Sequence, residues 1–287
     1  MMLKDYCFDG KKQLKLRDMP TDAGEYKLMK EQLTAKTGEN MARAAELQER
    51  LMAEKCEGLV IALQARDAAG KDSLIKKIFG RLNPAGLRVS SFKVPNGTEL
   101  AHDFLWRISR EMPERGMIGV FNRSQYEDVL AVKVHQMQKG YRMPARCLTG
   151  GFIERRYAQL KNWEQYLWEN GYRMIKVFLH VSREEQKRRF VDRIELPEKH
   201  WKLSVDDMKE RLLWEEYDDA FERCINATGT EHAPWYVIPA DNKWFTRYLM
   251  SEVLCRTLEE MNPQYPPLDA EEAAKIPMVM QELESGM

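Results

Sequence analysis

The chain has 287 residues, 44% hydrophobic and 31% charged, and its 45 basic and 45 acidic side chains cancel to a formal charge of zero. That length allows one large α/β domain or two small ones with ordinary globular composition. Charge balance excludes polyanion binding through a global positive field, so any such site has to come from local clustering of basic residues.

The first segment, MMLKDYCFDGKK, lacks the apolar core of a signal peptide. No run approaches the roughly 18 apolar residues of a membrane helix. The five cysteines, Cys7, Cys56, Cys147, Cys224 and Cys255, are scattered, without C-x-x-C spacing. They argue against a disulfide framework or a zinc site and for a reducing cytoplasm.

Residues 1–20 read as a polar arm. From Asp22 to Lys55 the pattern is helical, with Tyr26, Met29 and Leu33 on one face and Ala44, Leu47 and Leu51 on another. Thr37-Gly38-Glu39-Asn40 is expected to interrupt it. The apolar run Leu59-Val60-Ile61-Ala62-Leu63 predicts a buried strand. It breaks into the small residues Ala65, Ala68, Ala69 and Gly70 before Lys71, and helical spacing follows at Leu74, Ile75, Ile78 and Phe79. Strand, small-residue loop, lysine and helix is the layout of a phosphate-binding loop, whose backbone N–H groups and helix N-terminus point at an anion. The match to G-x-x-x-x-G-K-[ST] is incomplete: Ala65 replaces the first glycine, Asp72 the Mg²⁺-binding hydroxyl, and Ser73 comes one place late. The alternative is a strand-to-helix turn with a surface lysine. Asp67 argues against it, because a carboxylate among phosphate-directed N–H groups suits a bound metal ion.

Farther on, Leu87–Val94 predicts a second strand, ended by Lys93 and Pro95-Asn96-Gly97. Thr98 is expected to cap a helix through Arg110. Met117–Phe121 is a third strand that runs into Asn122-Arg123-Ser124-Gln125-Tyr126-Glu127-Asp128. There Asn122 can orient a phosphate oxygen and Arg123 can clamp phosphate in a fork, while Glu127 or Asp128 completes Mg²⁺ coordination. The competing reading is a helix N-terminus where acids suit the dipole. Residues 136–150 read as a loop, 151–169 as a helix, and Met174–Val181 as a fourth strand. Arg183–Lys202 carries Arg183, Lys187, Arg188, Arg189, Arg193, Lys199, His200 and Lys202. This is either a solvated helix face or a lid that closes arginines over phosphates. Asp206–Ile225 predicts one helix, Trp235–Ala240 a fifth strand, Phe245–Met261 a closing helix, and the acidic segment from Pro263 a loose tail. Apolar strands alternating with amphipathic helices imply a parallel sheet covered on both faces, with ligands beyond the carboxyl ends of the strands.

The ordered set ARDAAGKDS, SFKVP, HDFLWR, GVFNRSQYEDVL, HVSREEQKRRF, HWKLS and WYVIPADNKW closely resembles the family-2 polyphosphate kinases over residues 45–260. The resemblance implies an α/β, P-loop kinase-like three-layer α/β/α fold with a parallel five-stranded sheet and a helical lid. On that basis residues 1–55 are an arm and packing helices, 56–262 the kinase domain with its lid at about 183–204, and 263–287 a tail. The implied reaction is reversible, Mg²⁺-dependent phosphoryl transfer between inorganic polyphosphate and nucleotides, with Mn²⁺ as the substitute ion. The implied catalytic set is Asp67, Lys71, Asn122, Arg123, Glu127, Arg189 and Arg193. Phosphate binding falls to Ala68, Ala69, Gly70, Lys71, Asp72, Ser73, Lys93, Arg123, Lys133 and Arg189. Nucleotide binding falls to Asn122, Glu127, Asp128 and Arg193, and metal binding to Asp67, Glu127 and Asp128. The NRS-x-YED form resembles the subgroup that phosphorylates both AMP and ADP, giving ADP and ATP, whereas the others resemble FDRSWYNR at this place. Arg66, Ser73 and Gln125 replace an apolar residue, Gly and His common in relatives. Other purine nucleotides, a homodimer or homotetramer, no nucleic acid, no membrane and a cytoplasmic location complete the expectation. Two other readings are weighed against it: an ATP-dependent nucleoside monophosphate kinase, and a non-catalytic polyanion-binding protein.

Overall fold

Six strands make one sheet: β1 (Cys7–Phe8), β2 (Gly58–Ala65), β3 (Leu87–Ser91), β4 (Ile118–Asn122), β5 (Tyr172–His180) and β6 (Trp235–Pro239). Their order in the computed structural model, which describes residues 2–286, is β1-β6-β5-β2-β4-β3. The last five are parallel, as the apolar runs predict, and only β1 is antiparallel, with Cys7 opposite Tyr236 and Phe8 opposite Trp235. The arm therefore contributes a sixth strand that two residues are too short to announce, and it also buries Leu14 and Leu16.

The helices are α1 (Lys30–Glu54), α2 (Lys71–Lys77), α3 (Gly97–Leu100), α4 (Trp106–Arg110), α5 (Ala131–Val134), α6 (Ala145–Leu148), α7 (Phe152–Glu169), α8 (Arg183–Glu195), α9 (Asp206–Leu212), α10 (Trp214–Thr228), α11 (Lys243–Met261) and α12 (Ala270–Ser285). Strand alternation assigns them to layers. Leu59, Ile61 and Leu63 of β2 pack with Leu47 and Leu51 of α1, Leu74 of α2 and the inner face of α11. Phe178 of β5 and Trp235 and Val237 of β6 face the other way, onto Leu160 of α7 and Phe221, Cys224 and Ile225 of α10. All eight residues of β2 are buried because both of its faces are covered. Among the described residues no helix is long and apolar enough to cross a membrane.

Several expected boundaries move. α1 runs through the 37–40 segment without a break: buried Thr37 bonds back to Leu33 O at 2.8 Å, and buried Asn40 donates to Ser251 and Glu252 of α11. Those polar residues serve a helix–helix interface, which single-sequence punctuation cannot distinguish from a turn. The helix expected over 98–110 divides into α3 and α4, and its cap is Asn96, in a reciprocal capping box with Glu99. The helix over 206–225 divides at Leu213 into α9 and α10. The tail carries α12, whose described residues are all exposed.

The register places the chemistry. Leu63 of β2 lies opposite Asn122, the last residue of β4, and Arg123 N–H donates to Leu63 O at 3.1 Å. The turn after β4 is thereby laid beside the loop after β2, at the carboxyl edge where the chain departs to opposite sides of β2.

Candidate active site

The loop between β2 and α2 is shaped by left-handed backbone at Ala68 (φ 59°) and Gly70 (φ 113°). Glycine takes that region freely; alanine there is strained and is held by its surroundings. The holding residue is Arg189 of α8. Its Nη1 donates to Ala68 O at 2.9 Å and Ala69 O at 2.7 Å, and its Nη2 to Ala240 O at 2.6 Å and Asp241 O at 3.2 Å. Its Nε donates to Glu185 Oε1 at 2.7 Å. With the carbonyls drawn to Arg189, the loop is braced from α8. Gln186 adds a bond to Asp67 O at 3.0 Å. Every donor-bearing nitrogen of the buried Arg189 side chain has a protein acceptor, so here it braces the loop, where the sequence suggested a phosphate clamp.

Lys71 opens α2. Among the described residues its Nζ has one acceptor, Ala65 O at 3.3 Å. Burial, with the neighbouring Arg123 charge, lowers its pKa below the ordinary lysine value. It is thus a cation with most of its hydrogen-bonding capacity unspent.

Asp67, Arg123 and Glu127 converge opposite it. Arg123, itself left-handed at φ 64°, donates from Nη2 to Asp67 Oδ1 at 2.7 Å and from Nη1 to Glu127 Oε2 at 3.3 Å. The Glu127 and Asp67 charges raise the Arg123 pKa, with Glu127 the larger influence. The other Glu127 oxygen, Oε1, is 2.9 Å from the Gln64 amide nitrogen when that amide is oriented so that its oxygen accepts from Ser124. Asp67, Arg123 and Glu127 line a cavity of about 40 Å³ with Arg66, Gln186, Trp214 and Tyr217.

A second set of contacts links the start of α2 to the end of β4 and to the turn after α8. Asn122 Nδ2 donates to Asp72 Oδ1 at 3.1 Å, and Lys202, in the Pro197–Lys202 turn that follows α8, donates to Asp72 Oδ2 at 3.0 Å. Asp72 therefore joins the start of α2, the end of β4 and the turn after α8, with both carboxylate oxygens engaged by protein donors. Arg193 binds Lys202 O at 3.1 Å and Asp207 Oδ2 at 2.6 Å, tying α8 to α9.

Four other expected residues lie elsewhere. Asp128 is buried at the back of the turn, with Arg156 at 3.1 Å and Arg107 at 3.8 Å, and burial raises its pKa despite them. The metal-ligand expectation would have it beside Asp67; here it faces two arginines. The Ser73 hydroxyl accepts from Arg247 of α11 at 3.3 Å and Lys133 pairs with Asp219 of α10. The Lys93 side chain is exposed on the loop after β3.

For a divalent ion, no cluster of three His, Cys, Asp or Glu exists among the described residues. Mg²⁺ does not require one, because it takes one or two carboxylates and fills its octahedron with phosphate oxygens and water. Asp67 fits that demand best: its Oδ2 has no protein partner among the described contacts, whereas both Glu127 oxygens have one.

Sequence reasoning missed Gln64, Gln186, and Lys202 as a partner of Asp72. For Gln64 a signal existed, a polar residue near the end of a wholly apolar run. The other two depend on the distance between segments over a hundred residues apart.

A family model described as Polyphosphate kinase 2 matches residues 27–266. The ADP-polyphosphate phosphotransferase of Rhodopseudomonas palustris is 46% identical over 226 residues, 78% of this chain and 78% of its own. The AMP/ADP-polyphosphate phosphotransferase of Meiothermus ruber is 40% identical over 258 residues, 90% of this chain and 92% of its own. The solved structure of polyphosphate kinase 2 from Arthrobacter aurescens superposes with a TM-score of 0.77 at 40% identity, covering 85% of this chain and 84% of that one.

Proposed function

The chain belongs to the polyphosphate kinase 2 family, and we propose that its loop-and-turn site phosphorylates both AMP and ADP from inorganic polyphosphate. Polyphosphate–nucleotide phosphotransfer is the activity shared by its named relatives. The finer choice of acceptor rests on the resemblance of the Asn122–Asp128 stretch to the subgroup acting on both AMP and ADP; the names of the relatives themselves divide, one specifying ADP and another AMP and ADP. The observation that carries the reading is the convergence of Asp67, Arg123 and Glu127 beside the uncommitted Lys71.

The chemistry follows from charge. A terminal oxygen of the nucleotide phosphate, ionised at neutral pH, attacks the terminal phosphorus of polyphosphate in line. A new P–O–P bond forms as the old one breaks, and the shortened chain leaves with the bridging oxygen. No strong general base is required. The site has to position two anions that repel each other and neutralise the charge between them. The Lys71 side chain and the backbone N–H groups of Ala68, Gly70 and Lys71 take the phosphoryl group in transfer, the Ala69 N–H being turned to Arg66 O at 3.3 Å. Arg123 has a planar fork that can turn from Asp67 to a phosphate. Glu127 fixes Arg123 and faces the acceptor. Mg²⁺ anchored at Asp67, when bound, screens the phosphate oxygens from one another. One phosphoanhydride replaces another, so the reaction runs in both directions. The lid at 183–204 excludes water, which would otherwise hydrolyse the donor. The five free cysteines suit the cytoplasm, and a homodimer or homotetramer is the expected assembly.

The test is Glu127→Ala assayed with each acceptor. AMP phosphorylation is expected to fall more than ADP phosphorylation. Equal losses would remove Glu127 from acceptor selection.

A further inference from the structure

Gln64 is the penultimate residue of β2, and only 1% of it is exposed. Its neighbours in the strand are apolar, and nothing about strand formation calls for an amide there. The amide, oriented with its oxygen toward Ser124, finds its partners on one side. Its oxygen accepts from Ser124 N and Ser124 Oγ, both at 3.0 Å, and its nitrogen donates to Glu127 Oε1 at 2.9 Å. Ser124 is itself fully buried and caps the Gln125–Asp128 turn by accepting from Tyr126 N at 3.3 Å.

We propose that Gln64 is a positioning residue that sets the Glu127 carboxylate, and through it the ability to use AMP beside ADP. The inference rests on the reading that Glu127 faces the acceptor. Arg123 holds one Glu127 oxygen and Gln64 the other, so the carboxylate has one orientation available. Arg123 is a half-exposed side chain that substrate phosphate can recruit; Gln64 is buried and cannot leave. When phosphate draws Arg123 away, Gln64 is what keeps Glu127 in place. AMP is one phosphoryl group shorter than ADP. Its attacking oxygen reaches the same donor phosphorus only if the nucleotide seats one phosphate unit deeper, and that position depends on a carboxylate that does not move.

Glutamine is also the side chain the geometry selects. It can accept from the Ser124 N–H and donate to a carboxylate at once. A glutamate would bring two carboxylates to hydrogen-bond distance, where they share a proton and titrate as a coupled pair. A methionine would fill the space and hold nothing.

The experiment uses the full chain carrying Gln64→Met or Gln64→Glu, each alone and with Glu127→Ala, with kcat/KM measured for AMP and for ADP across pH and thermal melting as a fold check. Q64M is expected to lower the AMP/ADP ratio about tenfold, the scale of one lost hydrogen bond to a charged group. In the Glu127→Ala background the same change should alter that ratio by less than about twofold, because the group being positioned is gone. Q64E, nearly isosteric, should give the ratio a pH dependence near neutrality that wild type and Q64E/E127A lack. If Q64M lowers the ratio equally in both backgrounds, or Q64E gives a flat pH profile, the proposal is overturned while the reading of Glu127 stands. If E127A alone leaves the ratio unchanged, both fall.

Discussion

Replacing Arg189 by alanine tests the account where it departs furthest from sequence reasoning. The substitution removes five hydrogen bonds, four of them to the carbonyls of Ala68, Ala69, Ala240 and Asp241. A buried carbonyl left unpaired costs about 1–3 kcal/mol, and water entering the vacated space rescues some of the four. A net loss of roughly 3–5 kcal/mol is expected, in line with breaking a buried charged network. For a chain of this size that is a fall of roughly 5–8 °C in Tm. Arg189→Lys keeps the charge but loses the planar fork, and about half the loss is expected. The assay is thermal and urea unfolding, paired with the KM for polyphosphate. Arg189→Ala should destabilise first and lose activity as a consequence of a disordered loop. If its Tm stays within about 2 °C of wild type while KM rises, Arg189 is a mobile phosphate clamp and the bracing role is wrong.

Lys71 carries the pH prediction. Burial lowers its pKa, so as pH rises it loses its proton before an ordinary lysine does, and the alkaline limb of kcat/KM should begin below 10.5. The unfolded chain then binds more protons than the folded one between the lowered and ordinary values, so this lysine makes stability rise with pH in that window; a limb at or above 10.5 would contradict the assignment. Lys176 and Glu164 form a wholly buried pair at 2.6 Å, with Tyr126 Oη on the other Glu164 oxygen at 2.6 Å. Lys176→Met should cost about 3–5 kcal/mol in urea unfolding, and adding Glu164→Gln should recover most of it by removing the stranded charge; an equally unstable double variant would refute the pairing. The Lys202–Asp72 contact is partly exposed at both ends, so it contributes less than about 1 kcal/mol and weakens with salt. Lys202→Met should speed proteolysis of residues 196–205 and raise the polyphosphate KM without moving Tm, and unchanged proteolysis would deny the latch.

The parallel sheet was legible because four of its five strands are mainly apolar runs bounded by turn residues, because the stretch from Leu87 alternates, and because β2 ends in small residues and Lys71. The site was legible in outline for the same reason: loops at the carboxyl edge of such a sheet meet. What periodicity could not supply was direction. Glu127 and Asp128 are adjacent, yet in the Gln125–Asp128 turn one faces Arg123 and the other Arg156. Arg189 and Arg193 share a helix face, but the carbonyls they find belong to the 68–69 and 240–241 loops and to Lys202. β1 escaped notice because a two-residue edge strand leaves no pattern. The residues replacing the first glycine and the hydroxyl, Ala65 and Asp72, looked like defects in a motif. Asp72 instead has its own partners, and Ala65 offers its carbonyl to Lys71.

The most direct measurement of the central claim is an incubation with AMP, Mg²⁺ and polyphosphate, without ATP at the start, followed by chromatography of the nucleotides. The account predicts that ADP appears first and ATP after it, and that Asp67→Ala and Lys71→Ala, while folded, give neither. No conversion with polyphosphate, together with conversion of AMP when ATP is the donor, would contradict it and make the chain a nucleotide kinase.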